Sequence, residues 1–315
     1  PYLCITYYDL ARMTTMQSTL KKYFGYDQFR PLQEDVIRHI LNGKDCLVLM
    51  PTGGGKSLCF QIPALMMEGT AVVVSPLISL MKDQVESLRA NGIEAAALNS
   101  NASEAENREI AERAYRGEYK LLYVSPERLL AEMETGVLHH SSGTNPTGPL
   151  KVSMFAIDEA HCISQWGHDF RPEYTQLGRL KEFFPGVPVA AFTATADKIT
   201  KEDIVQQLRL EKDETGEPKI FVSSFDRPNL SLDVRRGYSA QDKLRFLLAL
   251  IARHRNESGI VYCMSRKTTE TVAMKLQEEG VRAKAYHAGL SPRERDEVQE
   301  EFINDNIDVV CATIA

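Results

Sequence analysis

Short apolar runs alternate along the chain with longer stretches in which apolar residues recur at helical spacing. The runs at 46–50, 71–74, 95–98, 121–124, 152–157 and 187–192 predict buried strands. The stretch 16–45 predicts two helices, because its apolar residues between 32 and 41 follow a near-helical period. Strands that alternate with helices in this way predict an α/β fold built on a parallel sheet.

A second, shorter α/β unit follows the first. Strands predicted at 259–263, 283–286 and 307–312 alternate with helices predicted at 268–279 and 292–303. We therefore divide the chain into a first lobe at 16–222, a linker at 223–230 and a second lobe at 231–315. Because 231–315 is short for such a domain, we expect an incomplete second lobe and a chain that is a fragment. Residues 1–15 are expected to be non-native or disordered, since Met13 or Met16 offers a natural start.

Composition narrows the class of protein. The chain has 43% hydrophobic and 25% charged residues, as globular proteins do, and lacks the roughly 18-residue apolar run of a membrane-spanning helix. Six cysteines without a C-x-x-C pair argue against a zinc site or disulfide framework and favour a reducing, cytoplasmic location. Because the net charge is −6, nucleic-acid binding would have to come from a local groove.

The strongest candidate for chemistry is the stretch CLVLMPTGGGKSLCFQIP at 46–63. A strand, Gly53-Gly54-Gly55, Lys56-Ser57 and a helix follow in the order that a phosphate-binding P-loop requires. Glycines let backbone N–H groups turn toward a phosphate, Lys56 would reach the β- and γ-phosphates, and the Ser57 hydroxyl would bind Mg²⁺. Met50 stands where the general pattern has glycine, so a Gly-rich turn with an unrelated lysine is the alternative.

The segment FGYDQFRPLQ at 24–33 lies shortly before the P-loop strand. Tyr26 and Arg30 are able to stack on a purine, and the Gln33 amide can both donate to and accept from an adenine edge. The same segment also fits a plain turn between helices, with Gly25 at the bend and Pro31 at a helix start. Both interpretations stay open at this point.

Polar residues follow several predicted strands. Asp158-Glu159 comes directly after the strand at 152–157, where an aspartate would hold Mg²⁺ with Ser57 and a glutamate would act as general base. Ser75 and Ser125 also follow strands and are candidates for phosphate contacts, although strand-ending turns explain them equally well.

Two further segments combine residues suited to polynucleotide contacts. SQWGHDFRPEY at 164–174 holds Trp166, His168, Phe170, Arg171 and Tyr174, and exposed aromatics beside a basic residue are suited to stacking on unpaired bases. In FTATA at 192–196, threonine hydroxyls are able to link nucleotide and polynucleotide sites, and strand capping is the alternative.

Together these motifs resemble those of the superfamily 2 helicases, and specifically of the RecQ-family DNA helicases. The resemblance runs from about residue 24 to residue 315. FGYDQFRPLQ resembles motif 0, MPTGGGKS motif I (with the methionine and Thr52), VVSPLISLMKDQV motif Ia and IDEAH motif II. SQWGHDFRPEY is similar to the aromatic-rich loop of that family, and TATA, IVYCMSR, YHAGL and VVCATIA resemble motif III, motif IV and the start of motif V.

The resemblance implies two RecA-like lobes that use ATP and Mg²⁺ to move 3′-to-5′ along single-stranded DNA and unwind partly duplex DNA in repair and recombination. It implies that Lys56, Asp158 and Glu159 are catalytic and that His161, Thr193 and Thr195 relay DNA occupancy to the ATP site. A larger set of residues is implied to contact DNA or to couple it to the ATP site: Ser75, Trp166, His168, Phe170, Arg171, Ser265, Arg266 and His287.

The same resemblance places motif VI, its arginine finger and any zinc-binding module beyond residue 315. We therefore expect this 315-residue chain to bind ATP but to hydrolyse it poorly. A cytoplasmic protein, nucleoid-associated if bacterial, is implied, with no membrane partner.

Three alternatives remain. An RNA-remodelling ATPase of the same superfamily would more often carry Asp-Glu-Ala-Asp and would lack the aromatic-rich segment. A nucleotide-dependent binding switch would bind ATP without polynucleotide-dependent turnover. A metabolic P-loop kinase is the weakest alternative, because it needs no second lobe of this kind.

Overall fold

The computed structural model of the chain describes residues 7–98, 102–134, 150–165, 169–224 and 229–313, with the backbone alone at 7–14. The chain divides into two compact units, 1–227 and 228–315. No helix among the described residues is long and apolar enough to cross a membrane.

The first unit alternates helices and strands in chain order. Its described elements are α1 Tyr7–Phe24, α2 Gln33–Leu41, β1 Cys46–Leu49, α3 Lys56–Met66, β2 Thr70–Val74, α4 Ile78–Ala90, β3 Ala95–Leu98, α5 Glu104–Tyr115, β4 Leu121–Val124, α6 Pro126–Glu134, β5 Val152–Ile157, two 3-10 helices at Ala160–Ile163 and Pro172–Arg179, α7 Leu180–Phe183, β6 Val189–Thr193, α8 Lys198–Gln207 and β7 Ile220–Val222.

These strands form one seven-stranded parallel sheet in the order β3-β4-β2-β5-β6-β1-β7. Successive side chains of β1 point to opposite faces, so Leu47 and Leu49 enter one core cluster while Cys46 and Val48 enter the other. Because both faces are covered, the strands are apolar throughout rather than alternating.

The parallel arrangement determines where a site can form. The loops after β1, β2, β4, β5 and β6 all leave from the carboxyl edge of the sheet, which is where open α/β sheets bind ligands. The P-loop follows β1, and the Asp158-Glu159 pair follows β5, which lies two strands away with β6 between them.

The second unit is smaller. It contains α9 Ala240–Arg253, β8 Gly259–Cys263, α10 Arg266–Glu278, β9 Ala283–Tyr286, α11 Pro292–Ile303 and β10 Val309–Thr313. Its three strands form a parallel sheet in the order β8-β10-β9. A core of Ala273, Leu276, Ala283, Val309 and Cys311 lies between this sheet and the helices.

The predicted α/β fold with two parallel sheets is confirmed, and several boundaries differ from the prediction. Helix α1 begins at Tyr7, inside the segment 1–15, whose non-native origin stays a prediction. Helix α8 begins at Lys198, because the Asp197 side chain accepts a hydrogen bond from Thr200 N at 2.7 Å and caps it there. Strand β7 and helix α9 were not predicted.

Candidate active site

The P-loop connects β1 to α3 through a turn that needs its glycines. Gly53 and Gly55 have φ angles of 74° and 86°, a region that side chains with Cβ rarely adopt. At Gly54 a Cβ would lie 2.8 Å from the Pro51 carbonyl oxygen. The loop therefore folds only with small residues at these positions, which leaves its backbone open to a ligand.

Lys56 is the first residue of helix α3, and its side chain bonds back to the residue that precedes the loop. Its Nζ donates to the Met50 carbonyl oxygen at 3.2 Å. The Met50 side chain is buried, with its sulfur 4.0 Å from Cys59 Sγ. The loop thus uses only the backbone of Met50, so a methionine at this position is compatible with a P-loop. The first N–H groups of α3 have no partner within the helix and face the loop, which suits an anion.

Arg30 and Gln33 hold the P-loop from the preceding segment. The Arg30 guanidinium donates to the Gly53 carbonyl. The Gln33 Oε1 accepts from Arg30 N at 2.8 Å, and its Nε2 donates to the Gly55 carbonyl at 3.0 Å. The Gln33 side chain is only 1% exposed, yet an amide has a second N–H and a second lone pair left after these two bonds. The segment 24–33 is therefore a turn between helices that also holds the P-loop through Arg30 and Gln33.

A cavity of about 630 Å³ opens beside the loop. Tyr26, which is 55% exposed, lines one part of it, and the Asp158-Glu159 pair lines another. The predicted nucleotide and metal residues that line it are Tyr26, Arg30, Gln33, Thr52, Gly53, Gly55, Lys56, Ser57, Asp158 and Glu159. Segments that are far apart in sequence thus meet at one site, as predicted for a nucleotide.

Asp158 and Glu159 differ in their electrostatic surroundings. Asp158 is 6% exposed, and burial together with the Glu159 charge raises its pKa to about 6, against the opposing effect of Lys56. A hydrogen bond from His161 lowers the pKa of Glu159. Glu159 is therefore ionised at neutral pH, as a general base must be, and buried Asp158 is suited to a cation.

A chain of hydrogen bonds leads from Glu159 to the FTATA stretch at 192–196, here called the threonine segment. His161 Nδ1 lies 3.3 Å from Glu159 Oε2 and 2.9 Å from Thr193 Oγ1. The Thr193 hydroxyl donates to the Thr195 carbonyl at 2.9 Å, so it accepts from His161, and Nδ1 carries a proton. Hydrogen bonds to Cys162 and Glu159 raise the pKa of His161 to about 10.

The aromatic-rich segment begins and ends on the short helix that carries His161. Ser164 N donates to the His161 carbonyl at 3.1 Å, and Arg171 N donates to the Cys162 carbonyl at 2.9 Å. Phe170 and Arg171 line a second cavity of about 600 Å³. Thr52 and Glu159 line both cavities, so the ATP-site candidates and the aromatic segment adjoin. Trp166 and His168 lie outside the described residues.

The two serines after strands differ. Ser125 Oγ accepts from Arg128 N at 3.3 Å, which supports the turn interpretation for that residue. Ser75 Oγ is buried, and within the described part of the chain it has no hydrogen-bond partner. Its predicted contact with phosphate stays a prediction.

In the second unit, Ser265, Arg266 and His287 lie at the carboxyl edge of the small sheet. Ser265 accepts from Thr268 N at 3.2 Å and caps α10, and Arg266 is exposed. His287 is 4% exposed; its Nδ1 accepts from Gly289 N at 3.2 Å, and its Nε2 lies 3.1 Å from Glu270 Oε1. Both ring nitrogens are engaged within the unit, so the geometry favours a structural role for His287 over a direct contact with DNA.

Tyr174 was interpreted from the sequence as an exposed stacking residue, and this was wrong. It is fully buried, and its hydroxyl donates to the Asp158 carbonyl at 3.0 Å. Tyr174, Leu177 and Leu180 are all buried and recur every third residue, which is the period of the 3-10 helix that contains the first two. That spacing was the signal in the sequence for an inward-facing tyrosine.

Family models and known relatives match most of the chain. The family described as DEAD/DEAH box helicase matches residues 30–204, and the helicase conserved C-terminal domain matches residues 242–315. The chain is 48% identical over 312 residues to the ATP-dependent DNA helicase RecQ of Pasteurella multocida, covering 99% of this chain and 46% of that protein. It is 49% identical over 302 residues to the RecQ helicase of Haemophilus influenzae, covering 96% and 46%. The chain thus spans about half the length of these relatives.

Solved structures of low identity share the fold. A Saccharomyces cerevisiae Dbp5 variant bound to Gle1 and IP6 superposes with a TM-score of 0.72 at 17% identity, covering 100% of this chain and 77% of that one. The Mycobacterium smegmatis helicase Lhr bound to single-stranded DNA and AMP-PNP gives 0.64 at 18% identity, covering 95% and 41%.

The chain belongs to the DEAD/DEAH box helicase family. Within that family its relatives are RecQ helicases, which confirms the resemblance that the sequence motifs indicated.

Proposed function

We propose that the protein is an ATP-dependent DNA helicase of the RecQ type. In this proposal, ATP hydrolysis drives 3′-to-5′ movement on single-stranded DNA and the unwinding of partly duplex DNA in repair and recombination. The observation that supports it best is the cavity that brings the P-loop, Arg30, Gln33 and the Asp158-Glu159 pair together. The names of the RecQ relatives agree with it.

ATP would bind with its base near Tyr26, Arg30 and Gln33. The unused N–H and lone pair of the Gln33 amide match the donor and acceptor on an adenine edge. The triphosphate would lie along the glycine turn, where the N-terminus of α3 and Lys56 neutralise negative charge. Arg30 and Gln33 already hold two carbonyls of this turn by hydrogen bonds without a ligand present.

The donors present fit Mg²⁺. The Ser57 hydroxyl and the buried Asp158 carboxylate line the same cavity, and one carboxylate, one hydroxyl and phosphate oxygens are a usual set for this ion. Bound Mg²⁺ would supply charge neutralisation on the phosphate oxygens. Glu159, ionised beside that group, would orient a water molecule and accept its proton.

DNA binding would reach the ATP site through the chain from Thr195 and Thr193 to His161 and Glu159. Each step of this chain is a contact of 2.9 to 3.3 Å. A polynucleotide that moves the threonine segment or the aromatic segment would change the position of Glu159. This would link turnover to DNA occupancy.

A cytoplasmic location, with nucleoid association if the protein is bacterial, belongs to the same proposal. It is supported by the free thiols of the five described cysteines, which suit a reducing compartment. The activity of the 315-residue chain by itself stays a prediction.

Strand displacement by the complete protein tests the proposal. Duplexes of one sequence would carry a 3′ tail, a 5′ tail or no tail, with ATP or a non-hydrolysable analogue. We expect displacement only with ATP and only from the 3′-tailed duplex, and none with Glu159→Gln. Displacement of RNA but not DNA duplexes would support the RNA-remodelling alternative, and ATP binding without any displacement would support the binding switch.

A further inference from the structure

The turn at Asp158-Glu159 places the two carboxylates of the site and needs support. It follows the last residue of β5, and Glu159 adopts a φ of 48°, which is unusual for a residue with a side chain. Asp158 N donates to the Val74 carbonyl at 2.9 Å, which fixes the amide side of the residue to the sheet. Its carbonyl is held separately, and a buried carbonyl needs a donor.

The Tyr174 hydroxyl is that donor, at 3.0 Å. The tyrosine is fully buried, so the bond is shielded from water and its loss would leave the Asp158 carbonyl unsatisfied. Tyr174 is also the last residue of the aromatic-rich segment at 164–174. Its N–H donates to the Arg171 carbonyl at 3.0 Å, and Arg171 N donates to the Cys162 carbonyl at 2.9 Å.

These hydrogen bonds form a short, continuous path from the end of the aromatic segment to the backbone of Asp158. It differs from the path through His161 and Thr193, because it acts on the main chain of the turn rather than on the side chain of Glu159. Movement of the aromatic segment's end at Arg171 would displace Tyr174 and, through its hydroxyl, the carboxylate that is suited to the cation.

We propose that Tyr174 is a positioning residue: it holds the Asp158-Glu159 turn in the conformation that metal binding and hydrolysis need. It also links that conformation to the position of the aromatic segment. The inference rests on the proposed ATPase function. Tyr174 does not line the nucleotide cavity, and it acts entirely through the Asp158 carbonyl.

The test compares Tyr174→Phe with Tyr119→Phe in the complete protein. Tyr119 is also buried in the same unit, but it precedes β4 at the opposite edge of the sheet, with its ring 4.9 Å from the Arg113 guanidinium. Five quantities are measured: the melting temperature, kcat for ATP with single-stranded DNA, KM for ATP under the same conditions, the binding of a fluorescent ATP analogue without Mg²⁺, and the Mg²⁺ concentration that half-saturates its metal-dependent binding.

We expect Tyr174→Phe to lower DNA-stimulated kcat about tenfold, which corresponds to about 1.4 kcal/mol of activation free energy. KM and metal-free binding should stay within about twofold of wild type, while the half-saturating Mg²⁺ concentration rises several-fold. Tyr119→Phe should leave all of these unchanged. Tyr174→4-aminophenylalanine, which restores a donor at the same place, should recover most of the lost kcat and Mg²⁺ affinity.

Wild-type kcat and Mg²⁺ dependence in Tyr174→Phe would overturn the inference. So would a lowered melting temperature with kcat and Mg²⁺ dependence unchanged, since that result means a purely structural tyrosine. If wild type shows no DNA-stimulated turnover, the proposed function fails, and the Mg²⁺ titration of analogue binding still decides the role of Tyr174.

Discussion

Replacing Thr193 with valine removes one hydroxyl from the centre of the proposed coupling chain while nearly keeping the shape of the side chain. That hydroxyl takes part in three hydrogen bonds: it accepts from His161 Nδ1 at 2.9 Å and from Thr195 N at 3.2 Å, and it donates to the Thr195 carbonyl at 2.9 Å. The substitution therefore separates His161 from the threonine segment without removing either.

The expected loss of stability is small. Three hydrogen bonds at about 1 kcal/mol each would suggest about 3 kcal/mol. However, Thr195 is exposed and its backbone groups regain water, while His161 keeps Glu159 at 3.3 Å. We therefore expect a loss of about 1–2 kcal/mol, or a fall in melting temperature of roughly 2–8 °C for a unit of this size.

We expect the substitution to affect the stimulation of ATP turnover by DNA more than it affects stability. Without the hydroxyl, His161 keeps Glu159 at 3.3 Å and Asp169 at 3.7 Å but loses its link to the threonine segment. We expect the ratio of DNA-stimulated to unstimulated ATP turnover to fall about tenfold, with KM for ATP nearly unchanged.

Thr70→Val is the matched control for this assay. Thr70 is a buried strand threonine whose hydroxyl donates to the Tyr119 carbonyl at 2.7 Å, at the start of β2 and away from the site. It should lose similar stability and keep full DNA stimulation. If both variants are stimulated as wild type is, the chain through Thr193 does not carry the coupling.

Three further substitutions test other parts of the site. Gly55→Ala would place a Cβ 2.3 Å from Gln33 Nε2 and should weaken ATP-analogue binding in a fluorescence titration. Gly92→Ala is the control, at a φ of 73° with no atom within 4 Å of its Cβ, and should bind the analogue as wild type does. Equal affinities of the two variants for the analogue would refute the role of the turn. Lys56→Ala should abolish turnover in a phosphate-release assay because its ammonium neutralises the phosphates, and retained turnover would contradict that role. Trp166→Ala should keep ATP affinity but lose stimulation by single-stranded DNA; normal stimulation would exclude Trp166 from coupling.

Sequence patterns predicted those features that depend on neighbours along the chain. The apolar runs located the strands from β1 to β6, and their shared direction placed the loop before Lys56 and the Asp158-Glu159 pair at one edge of the sheet. Strand β7 was not predicted, because its three residues follow a polar segment and it is a strand through its pairing with β1. Helix α9 is detectable in the sequence, because its apolar residues have helical spacing.

Features that depend on contacts between residues far apart along the chain could not be predicted from the sequence. The pairing of Gln33 with the P-loop joins residues 22 positions apart, and only the folded chain brings its amide to the Gly55 carbonyl. The hydroxyl of Tyr174 and the ring of His287 could equally have faced solvent, since motif spacing does not report burial. The resemblance to the helicase family identified these segments as functional. It did not show which way each side chain points, because packing in the folded chain determines that direction.

We propose that the cavity beside the P-loop hydrolyses ATP under the control of single-stranded DNA. The most direct measurement is steady-state ATP turnover by the complete protein with no polynucleotide, with single-stranded DNA and with RNA of the same sequence. We predict strong stimulation by DNA, little by RNA, and none for Glu159→Gln with either. Turnover that is independent of polynucleotide, or that RNA stimulates and DNA does not, would contradict control by single-stranded DNA.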